Sequence, residues 1–261
     1  QNLPFHMARH AVVLIRHGES AWNAAKRFSG WADMDLTKKG VQEAQTAGLR
    51  LKAAGMCFDE AHVSLLKRSA DTLALALHGS GNAATPVYHT WRLNERHYGA
   101  LTGRSKQEAE EELGKDQLLR FRRGFEVEPP VMDECHPYFA HIYSDTRYQD
   151  VCVPSLPRGE SLKQCFDRVL PYWEGRLKAR MASGKRIIVS AHNNVLRCLV
   201  RHIDGMSDEA LALFEIPTGV PMIYHLDETF CSVGTKDQLG FSGTFLTGGS
   251  AIVDDPALIS R

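Results

Sequence analysis

The sequence predicts an α/β fold, a three-layer sandwich with a mostly parallel central sheet and helices on both faces. Two strand-length runs, Ala11 to Ile15 (AVVLI) and Ile187 to Ala191 (IIVSA), are almost wholly apolar, as strands buried on both faces are. Between them, stretches with helical spacing alternate with further β-branched runs, the order that layers helices over a sheet. No repeat or low-complexity tract interrupts the chain, and Gly and Pro are not pooled into a linker, so residues 8–261 read as one domain.

Gln1 to Met7 carry no structural pattern, and Met7-Ala8 reads as a natural start preceded by residues of cloning origin. After the first strand, Thr37 is placed to cap a helix whose Val41, Ala44, Gly48 and Leu51 share a face, with Gly55 as its stop. Strands are expected near Phe58 to Ser64 and Pro86 to Trp91, and Ser105-Lys-Gln-Glu108 forms a capping box that opens another helix. The stretch from Pro129 to Arg158, rich in Pro, Asp and aromatics, reads as a long ordered excursion over the site. From Ser161, Leu162, Cys165, Phe166, Val169, Trp173 and Leu177 follow helical spacing, with a kink expected at Pro171. The second apolar strand leads into a helical Val195 to His202, and a last strand is expected at Met222 to Leu226. Small residues from about Gly240 onward predict a mobile tail.

Composition narrows the function. Lys plus Arg and Asp plus Glu are equal at 31 each, so no net field draws nucleic acid or an anionic membrane. No apolar run reaches the roughly 20 residues that span a bilayer, and no signal-peptide pattern is visible, so a soluble, cytoplasmic protein is expected. Cys57, Cys135, Cys152, Cys165, Cys198 and Cys231 form no C-x-x-C pair, so reduced thiols and no metal site are expected.

The chemistry gathers where the two strong strands end. The first runs into Arg16-His17-Gly18-Glu19 and the second into His192-Asn193-Asn194. Ligands of open α/β sheets bind beyond the carboxyl ends of the strands, so both histidines fall at that edge. Arg68 follows a predicted strand, and Glu95 and Arg96 lie in the block Trp91 to Gly103 (WRLNERHYGALTG). Transfer of a dianionic phosphoryl group calls for forked guanidinium donors, a positioned nucleophile and a proton relay. Neutral imidazole is available as a nucleophile near neutral pH.

Arg16-His17-Gly18-Glu19-Ser20 resembles the R-H-G-E signature of the histidine phosphatase superfamily. Its extension, Ala21-Trp22-Asn23 with Arg27-Phe28-Ser29-Gly30-Trp31, is similar to the cofactor-dependent phosphoglycerate mutases. Further matches are Lys67-Arg68, Trp91 to Gly103, Arg122-Arg123, Pro129-Pro130, His136-Pro137, Gly159 to Leu162 and Pro217 to Pro221. The resemblance implies a phosphorylated His17, a phosphoryl group held by Arg16, Arg68 and His192, and Glu95 as general acid and base. It implies that Ser20, Asn23, Ser29 and Gly30 line the phosphate and carboxylate pocket. Tyr98, Lys106, Arg122, Arg123, Asn193 and Asn194 would grip the rest of the ligand. The implied reaction interconverts 3-phosphoglycerate and 2-phosphoglycerate, primed by 2,3-bisphosphoglycerate and without a metal, in a homo-oligomer, dimer or tetramer. Relatives specialised for making bisphosphoglycerate carry Gly in place of Ser20 and a different pair in place of Ser29-Gly30, so both positions read as glycolytic mutase. One stretch departs: the family's H-G-N-S-L-R is here His192-Asn193-Asn194-Val195-Leu196-Arg197, which puts a Cβ and a test of positive φ at Asn193 and removes a hydroxyl at Val195. The alternatives are a phosphatase of the same fold acting on small phosphomonoesters, and a weakly active paralogue that binds phosphometabolites or serves as a scaffold.

Overall fold

The computed structural model describes residues 8–151 and 156–247. Met7, Cys152 and the tail beyond Thr247 therefore lie outside the described residues. Six strands, β1 (His10–Arg16), β2 (Glu60–Val63), β3 (Val87–His89), β4 (Ile187–Ala191), β5 (Pro221–Leu226) and β6 (Thr244–Phe245), form one sheet in the order β3-β2-β4-β1-β5-β6. The β3-β2, β2-β4 and β4-β1 pairs are parallel, whereas β5 runs antiparallel to β1 and to β6. The α/β sandwich with a mostly parallel sheet is thus observed.

Helices cover both faces because successive side chains of a strand point to opposite sides. Val12 and Leu14 of β1 pack with Trp173 and with α7 (Leu162–Tyr172) and α9 (Asn193–Asp204). Val13 and Ile15 pack on the other face against Leu51 of α2 (Lys38–Ala53) and Leu73 of α3 (Lys67–Ser80). The expected caps form: Thr37 accepts from the Gly40 amide, and Ser105 and Ser161 close reciprocal boxes with Glu108 and Gln164. Val41 is only half-buried, and Gly40 and Ala47 complete the inner face of α2 instead.

Pro171 lies within α7, and a single π turn, Trp173–Leu177, follows it before the helix resumes at Lys178, so the helix is irregular just past the proline. One expectation is corrected. The segment after Gly240 begins as structure, since β6 pairs with β5, Phe241 is buried against Phe214, and Ser242 bonds Asp204. Among the described residues, no helix is long and apolar enough to cross a membrane.

One contact sets the position of the loop after β1. Gly18 and Gly40 meet backbone to backbone: a Cβ on Gly40 would stand 2.1 Å from Glu19 O, and one on Gly18 would stand 2.3 Å from Gly40 O. Neither chain segment can give without moving the loop or the start of α2. Gly40→Ala is expected to cost at least about 1–3 kcal/mol, the usual range for overpacking a tight site. Urea unfolding measures it, and a loss below roughly 0.5 kcal/mol, the scatter of ordinary surface changes, would show that the two segments part freely.

Candidate active site

His17 and His192 meet at the carboxyl edge of the parallel strands, with ring centroids 4.9 Å apart. His17 follows β1 directly, and its amide donates to Ala191 O at the end of β4. Its Nδ1 lies 2.7 Å from Gly18 O. A carbonyl only accepts, so Nδ1 carries the proton and Nε2 keeps its lone pair. Burial pushes the His17 pKa well below its ordinary value, and the Arg68 and Arg16 charges push it further; the ring is neutral at physiological pH. Arg68, from the first turn of α3, is fully buried: its Nε–H points at His17 Nε2 from 3.4 Å, and its two outer nitrogens donate to Ala32 O at 3.0 Å and Gly30 O at 2.8 Å. Thr72, one helical turn on, accepts from Gly18 N and donates to Arg68 O, tying the loop after His17 to the arginine's helix.

His192 is the N-cap residue of α9, with Nε2 2.8 Å from the Ser64 hydroxyl. Ser64 Oγ accepts from Leu66 N; donating its own proton to His192 Nε2 would leave the ring proton on Nδ1, free to donate. That Nδ1 and the Nε of Arg16 are buried beside His17 without a partner. Buried donors are normally satisfied, so these two orphans near the neutral His17 ring mark a place for an anion.

Glu95 is brought to the same centre from the 91–103 block. Its Oε1 accepts from Arg96 N at 2.8 Å and from Asn194 Nδ2 at 3.2 Å, and Asn194 also donates to the Tyr98 hydroxyl at 3.0 Å. The backbone around Glu95 is clamped from behind. Trp31 Nε1 donates to Glu95 O at 2.6 Å, and Arg168, paired with buried Glu160, donates to Arg92 O and Glu95 O. Glu160 in turn accepts from His97 N. Described residues of the 129–158 excursion pack on this layer, Tyr148 stacking on Trp31 and Tyr143 on His97.

The remaining predicted residues divide. Gly30 and Ser29 form the loop that Arg68 grips. Ser20 and Asn23 satisfy each other as a capping box of the helical turn Ala21–Ala24 just past His17. Lys106, at the start of the helix Lys106–Leu113, is pushed down to about 8 by burial and by the Arg122, Arg16 and Arg123 charges, which outweigh the opposing pull of Glu215. Asn193 turns to Glu215: its Nδ2 donates to Oε2 at 2.8 Å, and its Oδ1 accepts from Ile216 N. It belongs to the first turn of α9, so the positive φ feared there does not arise, and Val195 packs in the core.

A family profile described as Histidine phosphatase superfamily (branch 1) matches residues 12–140 and 132–233. The chain belongs to this superfamily. Solved structures agree on the fold. A putative alpha-ribazole-5'-P phosphatase from Escherichia coli is 23% identical over 90% of this chain and 94% of its own, with a TM-score of 0.58. A mycobacterial glucosyl-3-phosphoglycerate phosphatase is 18% identical over 82% and 92%, with a TM-score of 0.62. A phosphoglycerate mutase from Bacillus anthracis is 18% identical over 83% and 88%, with a TM-score of 0.58.

Reading the sequence missed four contributors to this superfamily site: Ser64, Thr72, the Glu160–Arg168 pair as a clamp, and Glu215. Thr72 is one turn from Arg68 and was open to a helical-spacing argument; the others act through partners distant in sequence.

Burial of neutral histidines has a consequence for stability. His17 and His192 are held well below 6.5, His62 at about 4 and His97 at about 3, with burial the first cause in each case. Below pH 6.5 the unfolded chain takes up protons that the native state refuses, so stability falls as pH drops, by up to about 1.4 kcal/mol per pH unit for each such residue. Urea unfolding at pH 7.5 and 5.5 should show this loss, with several protons taken up on unfolding at the lower pH. Equal stability at both would mean that these rings are charged in the native state.

Proposed function

We propose that the protein is a phosphoglycerate mutase that interconverts 3-phosphoglycerate and 2-phosphoglycerate through a phosphorylated His17. The observation that carries the chemistry is the neutral, buried His17 with its Nε2 lone pair facing Arg68 and flanked by the unpartnered donors of Arg16 and His192. A phosphoryl group arriving there would meet a nucleophile and three groups able to hold its oxygens, the demand that phosphoryl transfer makes.

In this reading 2,3-bisphosphoglycerate is the priming donor and no metal takes part. Nε2 attacks phosphorus, the bond to the sugar-acid oxygen breaks, and Glu95 supplies the proton that oxygen needs. The reverse step uses Glu95 as base on the other hydroxyl. Asn194 and the Arg96 amide fix the carboxylate, and the clamp of Trp31 and Arg168 fixes its backbone. Lys106, Arg122 and Arg123 supply cations for the carboxylate or second phosphate. The extended motif from Ser20 to Trp31 and the 91–103 block support the mutase over other members of the superfamily.

A phosphatase acting on small phosphomonoesters is the second reading, and one observation favours it: Glu215 places a carboxylate among the cations that a phosphorylated acid would use. Two of the similar structures named above are phosphatases. A coupled assay of 3-phosphoglycerate turnover separates the readings. Mutase activity that depends on 2,3-bisphosphoglycerate and survives chelator is expected; phosphate release without 2-phosphoglycerate would establish the phosphatase, and loss of activity with chelator would sink the metal-free mechanism. Glu95→Gln should lower turnover by about 10² to 10⁴, the usual worth of general acid and base help, with little change in ligand affinity. A fall below about threefold, well under that range, would reduce Glu95 to a pocket wall.

A further inference from the structure

Glu215 adds to Glu95 a second carboxylate in the candidate site, one that sits among the cations expected to hold the rest of the proposed ligand. It follows the helix Asp208–Leu213, and its neighbour Ile216 accepts from Arg16 through its carbonyl at 2.5 Å, so the segment is anchored to the residue before the nucleophile. Its Oε1 lies 2.6 Å from Arg123 Nη1, and its Oε2 lies 2.8 Å from Asn193 Nδ2 and 3.9 Å from Arg16 Nη1. Burial works to raise its pKa, but Arg123, Arg16 and Arg197 together outweigh burial and keep it ionised. Side-chain exposures of 19% for Glu215 and 23% for Arg123 mean that the pair is neither sealed in the core nor free in water, and a ligand can reach it.

We propose that Glu215 sets the ligand charge this pocket accepts, acting as a resident anion that a substrate's second anionic group must displace from Arg123. A phosphate ester with an uncharged remainder leaves the Arg123–Glu215 pair intact. A phosphorylated acid brings a carboxylate to cations already engaged, and like charges brought together at a binding surface are strongly discriminated against. Asn193 is the second part of the device, because its amide aims Oε2 and its carbonyl fixes the Ile216 amide. The residue is therefore specificity-determining, narrowing the preference for phosphorylated acids that Arg16, Lys106, Arg122 and Arg123 would otherwise confer.

The inference rests on reading the pocket as a site for small phosphate esters, and its test does not depend on turnover. Titration calorimetry on the full chain compares 3-phosphoglycerate with glycerol 3-phosphate, which differ at the carboxylate. The readout is the ratio of the two dissociation constants in wild type, Glu215→Gln and Glu215→Asp. Glu215→Gln should raise the preference for 3-phosphoglycerate roughly tenfold, as expected when a like charge facing the ligand is removed. Glu215→Asp keeps the charge and should stay within about twofold of wild type, less than a single ordinary contact is worth. If glutamine leaves the ratio unmoved, if aspartate shifts it as far as glutamine does, or if neither ligand binds, the inference fails. A wild type without mutase activity whose ratio still shifts as described would overturn the mutase reading and leave this inference standing.

Discussion

A buried guanidinium organises this molecule. Arg68 has no exposed surface, and among the described residues its hydrogen bonds go to two carbonyls and the lone pair of His17, with no carboxylate in ion-pair contact. Carbonyl oxygens solvate a charge without cancelling it, and an unneutralised buried charge is costly. The structure carries that cost because Gly30 and Ala32 are held where their oxygens can meet the fork. Trp31 between them is therefore turned into the layer that includes Glu95, His97 and Tyr148. Burial keeps His17 neutral first of all, and the positive charge of Arg68 that adds to it is the same one that a phosphoryl oxygen would neutralise.

From that constraint the rest of the site follows in layers. The histidines come from two adjacent parallel strands, whose hydrogen bonding fixes their separation before any side chain is chosen. The proton-relay candidate comes from an irregular segment, which has no ladder to hold it. It is held instead by a buried ion pair, Glu160 with Arg168, and by the indole of Trp31. Burying such a pair contributes little net stability, but removing either partner would strand a charge beneath Glu95.

How much of this was legible depended on the range of the interactions. The two central strands could be read because burial on both faces leaves a continuous apolar run, and the histidines that end them fell at the expected edge. The Thr37, Ser105 and Ser161 caps are local and were found where their spacing placed them. β6 was hidden because Thr244–Phe245 is two residues long and set among glycines and serines; only its pairing with β5 gives it order. Glu215 was hidden for a different reason. Arg16 and Arg123 approach it from 199 and 92 positions earlier in the chain, and no local pattern distinguishes its carboxylate from that of any exposed glutamate. The same holds for Asn193, whose replacement of the family's glycine looked like a threat to the backbone. In the fold it is a helical residue that has acquired a partner.

The central claim is that His17 Nε2 is the nucleophile and that Arg68 and His192 serve it. The most direct measurement is to incubate the protein with 2,3-bisphosphoglycerate and locate the transferred phosphate by mass spectrometry of peptides kept at alkaline pH. A phosphoramidate hydrolyses once its nitrogen is protonated, so the account predicts an acid-labile, base-stable phosphate on His17. Phosphate found on His192 instead, or stable to acid on a hydroxyl or carboxylate, would contradict it.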